Sequence, residues 1–410
     1  MHLFSSWVQT TLGALCILDN GVKVHGEKLP LLDVKYLRGK KEAEYLDSGV
    51  VLNDGQYAIL VDGENSGEVF RIHEIGYMGS TFKRLACPDD RLLEYLLYII
   101  KFNQKMFREN KKGSAIPHLD KKLFKELSIN LPPLAEQGRI VAKIEELFAG
   151  IDAGVENLKS VKNQIALYRQ SVLKSAFDNQ TKKEMLKNFI IEINYGTSEK
   201  TNDDASGIPV LRMGDIQNGK LRFNKLKYLK KITDKKLLLQ KGDLLFNRTN
   251  SAELVGKSAV FNSDFVCSFA SYLIKVRFSE KLNSDYVCFY INSPYGKAWA
   301  KTQLTQQVGQ ANINSQKLQA LQIPVPSLDE QKRIVAEIES RFERADALET
   351  AVDRALSNAE KLKQAVLKKA FSGELVPQNP DDEPASVLLD RIRAARAAEQ
   401  RANPKKGKRK

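Results

Sequence analysis

Residues 131–177 run LPPLAEQGRIVAKIEELFAGIDAGVENLKSVKNQIALYRQSVLKSAF, and residues 325–371 run VPSLDEQKRIVAEIESRFERADALETAVDRALSNAEKLKQAVLKKAF. They align without a gap at an offset of 194, with about 19 of 47 positions identical. Glu136-Gln137 meets Glu330-Gln331, Arg139 through Ala142 meets Arg333 through Ala336, and Ala176-Phe177 meets Ala370-Phe371. Chance does not hold such blocks at one constant offset, so the chain contains an internal repeat. Both copies read as long helices. Ile144, Ile151, Leu158, Ile165 and Val172 recur every seven residues, as do Ile338, Ala345, Val352, Ala359 and Val366. Phe148, Val155, Val161 and Tyr168 widen the first stripe, and Phe342, Leu348, Leu356 and Leu362 widen the second. A strict heptad keeps one seam turned to a partner helix and favours a left-handed coiled coil. Prolines stand before each helix, at Pro132-Pro133 and at Pro324 and Pro326, while Gly373 and Pro377 suit the stop of the second. Seams of equal length and register predict that the two helices pack antiparallel on each other.

Working outward, the segments before each helix, 1–131 and 182–325, carry short β-rich runs. Tyr57 to Val61, Val69 to Ile72, Pro209 to Met213, Leu244 to Phe246 and Ser271 to Phe278 are separated by Gly, Asn and Asp clusters. Each segment ends in a helical stretch, at 89–108 and 283–303. A faint common frame sets Leu31-Leu32-Asp33 beside Pro209-Val210-Leu211, and Gly55 beside Gly242. The chain therefore divides into a first head (1–131), a helix (132–181), a second head (182–325), a second helix (326–373) and a tail (374–410). The fold class expected is α+β: two mixed α/β domains separated by a pair of long antiparallel coiled-coil helices, with an internal pseudo-two-fold repeat.

Composition bounds the function. The chain has 410 residues, 42% hydrophobic and 28% charged, which is ordinary globular usage rather than disorder. A formal charge of +14 and a pI near 9.3 make a polyanion a plausible partner. Cys16, Cys87, Cys267 and Cys288 form no C-x-x-C pair, which argues against a zinc ribbon and for a reducing cytoplasmic home. The apolar run Leu12 to Leu18 has no basic stretch before it, and Leu92 to Ile100 is too short to span a bilayer, so no membrane association is expected. No G-x-x-x-x-G-K-[ST] loop occurs, and no Asn-Pro-Pro or Asp-Pro-Pro. His2, His25, His73 and His118 are scattered through the first head and read as surface or structural. Neither catalytic residues nor a metal site are expected.

Two unlike heads on matched helices could grip two patches of one linear polymer. A 44-residue helix is ~66 Å long at ~1.5 Å per residue. At ~3.4 Å of rise per base pair that is at most ~19 base pairs of DNA, the scale of a split target. Side chains suited to base edges cluster in the second head. Asn247-Arg248-Thr249-Asn250-Ser251 forms one turn, and Gln306, Gln307, Gln310 and Asn312 stand in another. Arg can read guanine, and Asn or Gln adenine, through paired hydrogen bonds in the major groove. Lys220, Arg222, Lys225, Lys227, Lys230 and Lys231 suit phosphates better than bases. In the first head, Arg38-Gly39-Lys40-Lys41, Lys83-Arg84 and Asn110-Lys111-Lys112 are the corresponding candidates. A structural coiled-coil scaffold whose heads bind proteins or RNA remains the alternative at this point.

The repeated helix start, P-x-L/P-L-x-E-Q-x-R-I-V-A-x-I-E, resembles the conserved regions of type I restriction-modification specificity subunits, the HsdS family. The run from Leu245 to Lys257 is similar to a common turn of that family's target recognition domains. So is Gln310 to Asn314 followed by Ile323-Pro324-Val325-Pro326, and so is the ending Gly373 to Gln378 with Leu388 to Ile392. The first head departs most, with Val61-Asp62-Gly63-Glu64-Asn65-Ser66-Gly67 in place of an N-R-T-N-S turn. The resemblance implies a subunit without catalysis of its own. Each target recognition domain would read half of a bipartite double-stranded DNA target, with Lys257 beside the turn as a further contact. The helices would set the gap and dock two methyltransferase subunits that use S-adenosylmethionine for adenine methylation. Candidate docking residues are Glu136, Gln137, Arg139 and Phe148, and Glu330, Gln331, Arg333 and Phe342. Restriction subunits using ATP and Mg would complete the assembly. The tail ends Lys405-Lys406-Gly407-Lys408-Arg409-Lys410, a basic arm suited to phosphates, after a short helix at 384–400 whose Val387, Leu388 and Ile392 could dock on a partner.

Overall fold

The computed structural model describes residues 6–113, 117–180, 182–232, 234–251, 254–303, 305–307 and 310–402; for residues 90, 305–307, 310–311, 399–400 and 402 it describes the backbone alone. The two repeats are continuous helices, Leu134–Phe177 and Leu328–Phe371, of 44 residues each. The chain forms two compact units. One comprises residues 1–157 and 355–410, and the other residues 158–354. Each unit therefore holds one head and a half of each long helix.

Within each unit the helical halves run antiparallel. In the first, Ile140, Ile144 and Phe148 share a core with Val366, Leu367 and Ala370, and Asp152 meets Lys363 at 2.5 Å. In the second, Val172, Leu173 and Phe177 share a core with Ile334, Ile338 and Phe342, and Lys162 meets Asp353 at 2.7 Å. The heptad positions Ile144, Ile165, Val172, Ile338, Ala345, Val352 and Val366 are buried, as the seam requires. The widening positions split. Phe148 and Phe342 are buried, but Tyr168, Leu348 and Leu362 face outward. Spacing that widens a stripe does not fix how far round the helix the neighbouring chain reaches.

The same side-chain knot occurs in both units. Lys363 lies 5.3 Å from the Phe148 ring and pairs with Asp152; Arg169 lies 5.5 Å from the Phe342 ring and pairs with Asp346 at 2.7 Å. Each set maps onto the other at the 194-residue offset. A cation held between a ring face and a carboxylate gains from both. Burial raises the Asp346 carboxyl, but hydrogen bonds from Lys220 and Arg169 prevail and hold it below the usual carboxylate range.

The heads repeat one sheet. In the first, a four-stranded sheet runs in the spatial order Ile17–Asp19, Phe82–Ala86, Tyr57–Leu60, Val69–Arg71. In the second the order is Ile190–Tyr195, Leu273–Phe278, Asp243–Asn247, Ser258–Phe261. Beside each, one strand pairs antiparallel with a second and parallel with a third: Lys23–Leu32 with Tyr45–Leu52 and Gly76–Met78, and Ile208–Leu211 with Lys227–Leu229 and Ser268–Phe269. The common frame thus lies in these strands, one residue from the sequence alignment. Leu31 and Leu32 take the places of Val210 and Leu211 in the parallel pairing. Gly55 and Gly242 close equivalent turns through their N–H groups, onto the Ile72 and Phe261 carbonyls.

The tail helix, Ala385–Ala402, does not offer Leu388 and Ile392 to a partner. With Ala385 and Leu389 they enter the first unit's own core beside Trp7, Leu12 and Leu15, and only Val387 of the expected face is exposed. Asp382 grips Arg139 through two hydrogen bonds, and Ala385 N–H donates to the Ser6 carbonyl. An apolar helix face close to an incomplete core buries there before it can wait for another chain. Residues 403–410, the basic arm, lie outside the described residues.

Candidate nucleic-acid interface

In the second head the strand Asp243–Asn247 is buried along its whole length. It delivers the chain to Arg248 at its rim. The next two residues, Thr249–Asn250, pair antiparallel with Gln310–Asn312, which pairs in turn with Thr305–Gln307. Two polar clusters about sixty residues apart in sequence therefore become one three-stranded sheet. Only the backbone of Gln306, Gln307 and Gln310 is described, and Ala252, Glu253, Val308 and Gly309 lie outside the described residues.

Arg248 stands at the junction between the buried strand and this sheet. Its guanidinium lies 4.7 Å from the Tyr195 ring centroid, and Nη2 donates to Asn312 Oδ1 at 3.4 Å. Its backbone is pinned on both sides, N–H to the Tyr272 carbonyl and C=O from the Ile313 N–H. Nε is buried with no hydrogen-bond partner among the described residues. The Tyr195 hydroxyl donates to Ser315 Oγ and accepts from the Ser315 N–H, both at 2.9 Å. Asn314 caps the helix Ser315–Gln319 by accepting from the Lys317 N–H. A planar, permanently charged fork held by stacking is suited to bidentate recognition. Tyr195 and Tyr272, each more than two-fifths exposed at the sheet rim, escaped the sequence reading because nothing in the sequence brings either beside Arg248, 53 and 24 residues away.

Asn247 corrects an expectation. It is fully buried, and its side-chain amide donates to the Leu254 carbonyl, closing the turn from inside. Ser251 is exposed, and Thr249 and Asn250 are half-buried. Lys257 stands in a cationic group. Burial lowers the Lys297 ammonium below the usual lysine range, and Lys257 and Lys301 add repulsion. Mutually repelling cations favour an anion between them. Behind the site, Lys275 is buried against Glu192 at 2.9 Å, and Arg277 bridges Glu192 and Asp243 at 2.7 Å each. This network ties together the three strands that position Arg248. Of the long basic run, Lys220 and Lys227 are spent on Asp346 and Asp203.

The first-head candidates are not gathered. Arg38 pairs with Glu68, and Arg84 pairs with Asp19 across its sheet. Lys83 lies half-buried on the same strand as Arg84, and Lys40 is exposed. Lys111 pairs with Glu64 at 2.6 Å in the loop that replaces the N-R-T-N-S turn. Among the helix candidates, Glu136, Gln137, Phe148, Gln331 and Phe342 are buried within the chain. Trp7 Nε1 donates to Glu136 at 3.0 Å, and Gln137 and Gln331 donate to the Pro132 and Pro326 carbonyls. They hold heads to helices rather than facing a partner. Arg333 is exposed and Arg139 and Glu330 half-exposed, with Arg333 paired to Glu330 at 2.7 Å.

Burial pushes the Cys16 and Cys267 thiols up to about 12, which leaves them poor nucleophiles. Among the described residues no group of His, Cys, Asp and Glu is placed to hold a metal ion, and no helix is long and apolar enough to cross a membrane.

A two-headed α+β protein with one sheet written twice, matched helices and a cationic rim of base-reading residue types defines the class. The chain belongs to the type I restriction modification DNA specificity domain family, whose model matches residues 20–163 and 171–357. It is 24% identical to the EcoBI specificity subunit of Escherichia coli over 97% of this chain and 94% of that protein. It is 29% identical to the EcoKI specificity subunit of Escherichia coli K12, covering 73% of this chain and 72% of that one. In fold it is similar to a chain solved in work on complex assembly and conformational transition of the type I R-M system. That likeness has a TM-score of 0.71 at 19% identity and covers 91% of this chain and all of that one.

Proposed function

We propose that this chain is the non-catalytic, DNA-reading subunit of a type I restriction-modification complex, working in the cytoplasm. Each head reads one half of a bipartite duplex target, and the paired helices set the gap. Methyltransferase subunits, bound to the helices, supply adenine methylation from S-adenosylmethionine; restriction subunits supply ATP- and Mg-dependent cleavage. The observation that carries this reading is the repetition itself. The order of the four-stranded sheet and the helix knot recur in both units, while the side chains at the sheet rims differ. A reader of an asymmetric split sequence needs one frame twice and two different reading surfaces. A scaffold has no use for that combination.

The test is the genome-wide map of modified adenines in the host with and without this gene. Loss of one split, asymmetric motif supports the reading and gives both half-targets. No lost motif, with no methyltransferase co-purifying, refutes it. Replacing residues 182–325 by another head should then change one half-target and leave the other intact.

A further inference from the structure

We propose that His118 and Asp62 read the first half-target, at the position that Asn312 and Thr249 hold in the second head. The inference rests on the DNA-reading role above and adds the residues of the half for which the sequence offered no turn. The equivalence is one of hydrogen-bond register. Gly67 N–H donates to the Leu60 carbonyl as Gly256 N–H donates to the Asn247 carbonyl, and both glycines have φ +90°, so Leu60 stands where Asn247 stands. One residue on, Leu119 N–H donates to the Val61 carbonyl as Ile313 N–H donates to the Arg248 carbonyl. The next pair follows: Asp62 bridges His118 antiparallel, as Thr249 bridges Asn312. Lys112 also bridges His118, as Thr305 pairs with Asn312. Asp120 and Asn314 then cap equivalent short helices, Lys121–Glu126 and Ser315–Gln319.

The frame is shared and the chemistry is not. Val61 replaces Arg248, so the first head has no guanidinium at the centre of its rim. The polar pair of this rim is instead His118 and Asp62, in the register of Asn312 and Thr249. His118 Nδ1 lies 2.7 Å from Asp62 Oδ1, and the side chain is half exposed. A carboxylate only accepts, so Nδ1 carries the proton and the ring is oriented by Asp62. With Nδ1 donating to Asp62, the acceptor left on a neutral ring is Nε2, on the opposite edge. Acceptors in the major groove find the exocyclic amino groups of adenine and cytosine. The first half-target therefore contains an adenine or cytosine read by His118, and Asp62 is the positioning residue.

The experiment uses the complete chain with its co-purified methyltransferase, and duplexes carrying every single base change in each half of the motif mapped in the host. In His118→Ala, discrimination at one adenine or cytosine of one half falls about tenfold, the lower range of a base-edge contact. The other half keeps its discrimination. Asp62→Asn, which no longer fixes the tautomer, gives a smaller loss at the same base. Arg248→Ala marks the second half, so the half affected by His118 must be the other one. Discrimination unchanged in both halves, or weakened alike in both, overturns the proposal. A wild-type complex with no split motif would instead refute the DNA-reading role itself, and the two failures are told apart before any variant is made.

Discussion

Replacing Tyr195 by alanine should weaken reading of the second half-target without unfolding the head. Tyr195 ends the edge strand Ile190–Tyr195 and is 41% exposed, so truncation leaves the sheet core intact. What it removes is the platform under Arg248, 4.7 Å from the guanidinium. Such a stack contributes about 1–2 kcal/mol when partly desolvated, and Arg248 is half-buried. At about 1.4 kcal/mol per tenfold, that is a loss of roughly 5- to 30-fold. Tyr195→Phe separates ring from hydroxyl. It keeps the stack and loses the two hydrogen bonds with Ser315, whose effect falls on the cap of the short helix rather than on Arg248. The assay is competition binding of the assembled complex with duplexes altered one base at a time. The expected order is wild type close to Tyr195→Phe, with Tyr195→Ala well below, at the second half alone. Equal loss in the two variants would show that the hydroxyl, not the ring, holds the site. Loss spread over both halves would show that Arg248 sets general affinity rather than base choice.

Lys257→Ala should weaken binding to all duplexes alike and reduce the slope of log affinity against log salt by about 0.9, the share of one phosphate; an unchanged slope would place Lys257 off the backbone. Asp346→Asn should flatten the acid limb of the second unit's stability. Its folded carboxyl lies below the usual range, so its contribution is in full force above about pH 4 and fades as pH falls toward the folded value. Thermal unfolding at stepped pH, with variant and wild type converging in acid, checks this. Leu389→Ala should cost the first unit about 2–5 kcal/mol, because Leu389 is buried in its core. Amide exchange should quicken among residues 6–157 while residues 158–354 keep their protection, and quickening in both would mean that the units unfold together.

The helices were legible because a heptad is a local signal: each residue that must be buried announces itself seven positions later. Their edges were not. Tyr168, Leu348 and Leu362 continue the apolar stripe and yet face outward, since what covers a stripe is contributed by the other helix and the heads. The heads were legible as strand-rich segments that end in helices, but not in how their strands pair. Their pairings join strands distant in sequence, such as Asp243–Asn247 with Leu273–Phe278, and no periodicity records a partner. The two polar clusters of the second head were found separately, because nothing in either says that Thr249 pairs with Asn312. Tyr195 lies 53 residues before Arg248 and gave no signal. Asn247 misled for a physical reason: a buried amide that closes a turn and an exposed amide that reads a base are the same residue in sequence.

The pairing of the head termini explains how the reading surfaces could diverge while the frame did not. The first head is entered by Val8–Thr11 and left by Ser128–Leu131, and these two segments pair as one antiparallel ribbon. The second is entered by Lys183–Met185 and left by Gln322–Pro324, paired the same way. Just inside, Leu12 N–H donates to the Leu127 carbonyl, as Leu186 N–H donates to the Leu321 carbonyl, each at 2.8 Å. Both ends of each head are thus brought together on its own helix, and Gln137 and Gln331 fasten the helix start to the chain that precedes it. An insertion whose ends meet exchanges most readily, because strain from a foreign interior does not reach the scaffold. A head exchange cut within these ribbons should therefore leave the Phe148–Asp152–Lys363 and Phe342–Asp346–Arg169 knots intact, with the long helices folding at wild-type stability. Cuts placed inside the heads, between Tyr195 and Arg248 for instance, should separate the ring from its guanidinium and abolish reading of that half. If both kinds of exchange were tolerated equally, the rim sheet would not be the unit of recognition.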